Sequence, residues 1–102
     1  MGQFIQVIRW ETSRIDEVRA LQQKFRDERM ASGEQGGPEA VTVVADRDRP
    51  HVFYTIVEFA DYDGAMANSD KPETGEFAAQ MMALCDGEPV FYNLDVLEAW
   101  RG

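Results

Sequence analysis

The chain carries one histidine, His51, and one cysteine, Cys85, so chemistry needing a cluster of either residue is excluded from the start. Histidine is the side-chain type that ordinarily titrates closest to neutrality, which makes His51 the natural candidate for a general base. Its position beside Pro50 at the start of a strand also suits an exposed hairpin residue. Asn68 offers two donors and an acceptor at fixed geometry, suited to orienting a substrate oxygen or stabilising developing negative charge. It equally suits the end of a helix, where asparagine tolerates left-handed backbone. Tyr54, Tyr62 and Tyr92 carry phenols that can hydrogen-bond a hydroxy-aromatic ligand while their rings line its pocket, or that can edge a core or an interface. Cys85 lies near a helix end in an acidic chain, where nothing favours its thiolate, so no catalytic thiol is expected. Asp46, Asp48 and His51 can in principle approach one cation, but Arg47 and Arg49 between them supply competing positive charge, and no metal site is expected.

These groups must be positioned by a short chain. Its 102 residues fit one domain, and 44% hydrophobic residues allow a real core. Ten Lys and Arg against 19 Asp and Glu leave a formal charge of −9, which argues against nucleic acid and anionic membranes as partners. No apolar stretch approaches the ~20 residues that span a bilayer. The N-terminal Met1-Gly2-Gln3-Phe4 has neither a basic segment nor a secretory apolar run, and Gln6 stands where myristoylation wants Ser or Thr, so a cytoplasmic protein is expected. Gly33, Gly36 and Gly37 precede Pro38 rather than open a helix, so they read as loop. A phosphate-binding glycine loop, a dinucleotide fingerprint, paired metal cysteines and a serine nucleophile elbow are all missing from the sequence.

Phe4–Trp10 is short and rich in β-branched and aromatic residues, which predicts a strand. Ser13 and Asp16 match a capping box, and Ile15, Val18, Leu21 and Phe25 recur at helical spacing, predicting a helix from about Arg14 to Met30. The polar, glycine-rich segment Ser32–Pro38 ends it. Ala40–Ala45 and Val52–Phe59 read as strands of a hairpin around the charged, proline-containing segment 46–50. Asp61 caps a short helix through Asn68 or Ser69. Pro72 then opens a second helical segment ending near Cys85 with Gly87 as its cap, and Val90–Trp100 alternates as a last strand.

The order β-α-β-β-α-β, with short right-handed connections, predicts an α+β fold: a ferredoxin-like antiparallel sheet with helices on one face. The other face also needs a cover, because Val52, Tyr54 and Ile56 are as apolar as the alternating Phe53, Val57 and Phe59. The chain has no further element to supply one. A homodimer paired through sheet faces is therefore expected.

The run Tyr54–Phe59, followed by Asp61-Tyr62-Asp63-Gly64-Ala65-Met66-Ala67-Asn68-Ser69 and by Pro72-Glu73-Thr74-Gly75-Glu76-Phe77, resembles the dimeric α+β barrel superfamily, especially its antibiotic-biosynthesis-monooxygenase-like branch. The resemblance implies a homodimer with sheets face to face and a small cavity between each sheet and its helices. It further implies oxidation of flat aromatic or polyketide-like substrates, in several members without flavin or metal, with a histidine or asparagine on the short helix and a tryptophan nearby. Asn68 takes that helix position, and Trp10, after Arg9, ends the first strand. Heme-degrading members use a helical histidine that this sequence lacks there, so no cofactor is expected. The expected catalytic groups are Asn68, His51 and Tyr54. A pocket for a small apolar or aromatic ligand is expected from Trp10, Phe25, Tyr62, Phe77, Met81 and Tyr92. The alternative is a non-catalytic ligand-binding or accessory protein of the same fold.

Overall fold

A computed structural model describes residues 3–33 and 37–102. The readings made for Met1-Gly2 and for Glu34, Gln35 and Gly36 lie outside the described residues. Strands β1 (Phe4–Glu11), β2 (Ala40–Ala45), β3 (Val52–Phe59) and β4 (Val90–Asp95) form one antiparallel sheet in the order β2-β3-β1-β4, joined by helices α1 (Ile15–Ser32), α2 (Tyr62–Ser69) and α3 (Pro72–Leu84). This is the expected ferredoxin-like arrangement, with its second crossover divided into two helices.

The register assigns every strand residue to a face, because successive side chains alternate and opposed residues share a side. Phe4 pairs with Phe59 and Asp95, Gln6 with Val57 and Asn93, Ile8 with Thr55 and Phe91, and Trp10 with Phe53. This is the helix-covered face: Phe4, Val57 and Phe59 pack against Ala65 of α2, with Ile8 and Met66 beside them. The opposite face carries Ile5, Val7 and Arg9 of β1, Tyr54 and Ile56 of β3, and Val90, Tyr92 and Leu94 of β4. Tyr92 is 47% exposed, and Val90 and Leu94 are exposed with it. Among the described residues no helix lies over this side.

The solvent-accessible surface is 7266 Å², whereas a monomeric globule of 11.6 kDa exposes about 5,800 Å². The radius of gyration, 14.0 Å, likewise exceeds the ~13 Å of a self-contained domain of this length. The bare sheet face contributes to both excesses, together with the exposed C-terminal residues Leu97 and Trp100 and the exposed Met30, Val41 and Phe91.

Several local expectations are corrected. Ser13 does not cap α1. Arg14 takes the N-cap position without a side-chain cap bond, and the fully buried Thr12 does the bonding instead: its Oγ1 accepts from Arg14 N at 2.9 Å and donates to Leu84 O at 2.7 Å. The Thr12 amide also donates to His51 O at 3.0 Å, so one residue ties together the ends of β1 and α3, the start of α1 and the hairpin. Gly33 ends α1 in the left-handed region, φ 67°, as a C-terminal glycine should. Gly87 does not cap α3; the chain turns extended at Cys85, and Asp86 N donates to Glu11 O at 2.8 Å. β4 stops at Asp95 rather than Trp100, because Asp95 already faces Phe4, the first residue of β1. One more rung, Val96 N to Gln3 O at 3.0 Å, follows. Beyond it Leu97 (96% exposed) and Trp100 (79%) leave the sheet.

Candidate functional site

α2 begins where Asp61 accepts a hydrogen bond from Gly64 N at 2.7 Å, an N-cap that fixes the helix direction. Asn68 lies in its last turn, half-buried, and its backbone carbonyl accepts from Lys71 N at 3.3 Å. On α1 the apolar stripe Val18, Leu21, Phe25 continues to Arg29, four residues on. Arg29 Nη1 donates to Asn68 Oδ1 at 3.1 Å, and its guanidinium lies over the Phe25 ring, 5.6 Å from the centroid. Phe25 in turn stacks on Phe77 of α3 at 4.3 Å and 21°. Asn68, Arg29, Phe25 and Phe77 thus form one continuous set drawn from all three helices.

Two shallow hollows of about 120 Å³ each adjoin the Phe25 end of this set, and Asn68 lines neither. One lies between α1 and α3, lined by Leu21, Lys24, Phe25, Glu76, Phe77 and Gln80 among others. The second is lined by Phe25, Glu28, Arg29, Ser32 and Glu73. Each is smaller than the ~300 Å³ lower bound of pockets for drug-sized ligands.

A polar pair stands in the middle of the helix-covered sheet face: Gln6 Nε2 donates to Asn93 Oδ1 at 3.0 Å. Near the end of β1, Trp10 Nε1 donates to Thr55 Oγ1 at 2.9 Å.

The remaining sequence candidates lie elsewhere. Trp10 is 2% exposed and stacks on Phe53 at 4.8 Å, inside the core. Tyr62 sits at the start of α2, its ring edge-on to Phe4 at 5.3 Å. Met81 is half-buried on α3. Tyr54 and Tyr92 are on the bare sheet face, so within one chain they do not share a pocket with Phe25 and Phe77. The Tyr54 hydroxyl donates to Asp46 Oδ2 at 3.2 Å. His51 is exposed at the hairpin, with φ 69°, at the end of β3 opposite the one from which α2 departs. Within one chain Asn68, His51 and Tyr54 therefore do not converge.

Asp46 ends β2, and its carboxyl is held below the usual carboxylate range. The Asp48 amide N–H is the largest cause, with further lowering from Tyr54 and Arg49 against an opposing effect of burial. The Cys85 thiol is pushed up, first by burial and then by the charge of Asp86, so it stays protonated at neutral pH. Among the described residues no three His, Cys, Asp or Glu side chains gather into a metal-binding group, and no helix is long and apolar enough to cross a membrane.

Arg29 and the Gln6–Asn93 pair are the residues that sequence reasoning missed. Each had a signal: Arg29 falls on the apolar stripe of α1 where a further aliphatic residue would fit, and Gln6 interrupts the otherwise apolar series Phe4, Ile8, Trp10.

No family model and no curated sequence matches the chain. Solved structures do. SnoaB, a cofactor-independent oxygenase from Streptomyces nogalater, in a variant with one asparagine replaced by alanine, superposes with a TM-score of 0.80 at 15% identity, covering 97% of each chain. A protein from Caulobacter crescentus provisionally named an antibiotic biosynthesis monooxygenase gives 0.79 at 16% identity, over 95% of this chain and 92% of that one. A conserved protein from Methanosarcina mazei gives 0.77 at 14% identity, over 92% of both. The chain thus has the ferredoxin-like α+β fold of these solved structures, antibiotic-biosynthesis-monooxygenase-like proteins among them.

Proposed function

We propose that this chain, built on the fold of the antibiotic biosynthesis monooxygenases, is a homodimer that binds a small flat aromatic or polyketide-like molecule beside Asn68 and oxygenates it without a cofactor. The observation that carries the reading is the Asn68 amide. Its carbonyl end is held by Arg29, its N–H donors have no partner among the described residues, and Arg29 links it to the stacked Phe25–Phe77 pair. An amide fixed in this way stabilises negative charge developing on a ligand oxygen. The aromatic rings supply flat apolar contact, and exclusion of water strengthens the polar interaction. Likeness to SnoaB supports oxygenase chemistry as the reaction class. The bare sheet face supports the dimer, and a cytoplasmic location belongs to the same reading.

A second reading has its own support. The hollows are small and open, and His51 and Tyr54 stand apart from Asn68, an arrangement suited to a binding or accessory protein without catalysis.

The test is calorimetric titration with flat hydroxy-aromatic compounds, alongside oxygen uptake, for the wild type and Asn68→Ala. The oxygenase reading predicts binding and oxygen consumption by the wild type, both reduced in the variant. Binding without oxygen uptake selects the second reading, and undiminished binding and uptake in Asn68→Ala removes this residue from the site.

A further inference from the structure

The contact between Arg29 and Asn68 determines what the amide can recognise. A guanidinium has five N–H donors and no acceptor, so the group facing it at 3.1 Å is the carbonyl oxygen of Asn68. The Nδ2 end is thereby turned away from Arg29. It has no protein partner among the described residues and is not sealed from solvent.

Three contacts hold the guanidinium in place. The Phe25 ring lies beneath it. Asn68 accepts from it. Gly37 closes the third side: its φ is +87°, and a Cβ built there would stand 2.6 Å from Arg29 Nη2 and 3.5 Å from Asn68 Oδ1. Only a residue without a side chain lets the backbone approach this closely. Among the described residues no carboxylate lies within ion-pair distance of Arg29, although the chain as a whole carries a charge of −9. Arg29 is thus restrained by its neighbours without a direct ion pair among the described residues, with Glu28 and Glu73 lining the same hollow.

We propose that Arg29 is a positioning residue that locks Asn68 as a hydrogen-bond donor, so that the site selects a ligand presenting an acceptor oxygen, a phenolate or a quinone-type carbonyl, on a flat ring. This rests on the reading that ligand binds at Asn68. Arg29 acts through the amide, by fixing its orientation and polarising its N–H bonds. Without Arg29 the amide is free to turn and offer its own oxygen, which repels a phenolate and accepts from a neutral phenol.

The probes are 4-nitrophenol, whose phenolate absorbs visible light while the phenol does not, and nitrobenzene, which has the same ring and nitro group without the phenolic oxygen. The wild type is expected to bind phenolate in preference to nitrobenzene and to lower the apparent pKa of bound 4-nitrophenol. Arg29→Gln reduces that preference about ten- to hundredfold, the worth of a charge-assisted hydrogen bond, and abolishes the spectroscopic shift. Arg29→Lys keeps the charge but not the fork, and recovers only part of the preference. Gly37→Ala leaves both side chains in the protein but displaces the guanidinium, and moves the preference in the same direction. Asn68→Ala loses as much as Arg29→Gln, and the double variant loses no more, because the two residues act as one unit. An unchanged phenolate preference in Arg29→Gln, full rescue by lysine, or additive losses overturn the assignment while leaving the site at Asn68 standing. Failure of the wild type to bind either probe overturns the site and this assignment together.

Discussion

The two faces of the sheet both carry apolar residues and differ in how far helices cover them, fully around Phe4, Val57 and Phe59 but not at the edges, where Phe91 and Val41 of the helix side stay exposed. On one, Phe4, Val57 and Phe59 close against Ala65 and Met66 of α2 and are almost fully buried. On the other, Ile5, Val7, Tyr54, Ile56, Tyr92 and Leu94 meet no helix. The difference lies in topology: right-handed crossovers place both helical connections on the same side, whatever the opposite side chains are. An apolar face of this extent left bare by its own chain is the hallmark of a surface shaped for association. On the proposed reading the bare face is closed by a second copy, whereas Asn68, Arg29, Phe25 and Phe77 already touch one another within one chain.

This contrast makes the substitutions separable. The largest effect is expected on the bare face. Ile56→Glu would bury two like charges, one from each copy, and should raise the dimer dissociation constant more than about a thousandfold. Sedimentation should then show lone protomers that keep their helical circular dichroism; unaltered association would place the interface elsewhere. On the covered face, Phe59→Ala opens a cavity against Phe4 and Ala65 and should cost about 3–5 kcal/mol in denaturant unfolding at fixed protomer concentration. A loss below about 1 kcal/mol would mean that this cluster is not the core. Thr12→Val keeps the shape but strands the Leu84 carbonyl and the Arg14 amide, for about 1–3 kcal/mol. Thr12→Ser, which returns the hydroxyl, should recover most of it.

The smallest effect belongs to the hairpin. The Asp46 carboxyl is depressed in the folded chain, so its contribution to stability is present above the unfolded carboxyl pKa and is lost as pH falls through the folded one. Melting temperatures of the wild type and Asp46→Asn should therefore differ at neutral pH and converge in acid. A gap that persists unchanged into acid would remove ionisation of Asp46 as its cause.

Elements were legible in the sequence wherever the decisive physics was local. β2 and β3 follow from their β-branched runs and the proline-containing hairpin, and α2 from Asp61, with the bounds expected. Misreadings arose where a distant partner decided. The alternation of Val90, Tyr92, Leu94 and Val96 continues past Asp95, but β1 has no further residues to pair with it, so the strand ends. Ser13 has the right type for a cap, yet Thr12, drawn in by the Leu84 carbonyl 72 residues away, does the bonding. At the candidate site, helical spacing brought Phe25 and Phe77 to notice, and the resemblance of its helix position, together with its amide chemistry, brought Asn68. Arg29 escaped because a charged residue on an apolar stripe is recognisable only once its acceptor on another helix is seen. His51, Tyr54 and Tyr92 were grouped with Asn68 by chemistry alone, and the sheet stands between Asn68 and the two tyrosines.

The most direct test of the unfinished sheet is sedimentation velocity of the wild-type chain over a wide dilution series, with fluorescence of the bare-face tyrosines followed in parallel. The account predicts a dimer that persists to low concentration, with Tyr54 and Tyr92 shielded from quencher in it. A stable, folded protomer at every concentration, with those tyrosines freely quenched, would contradict it.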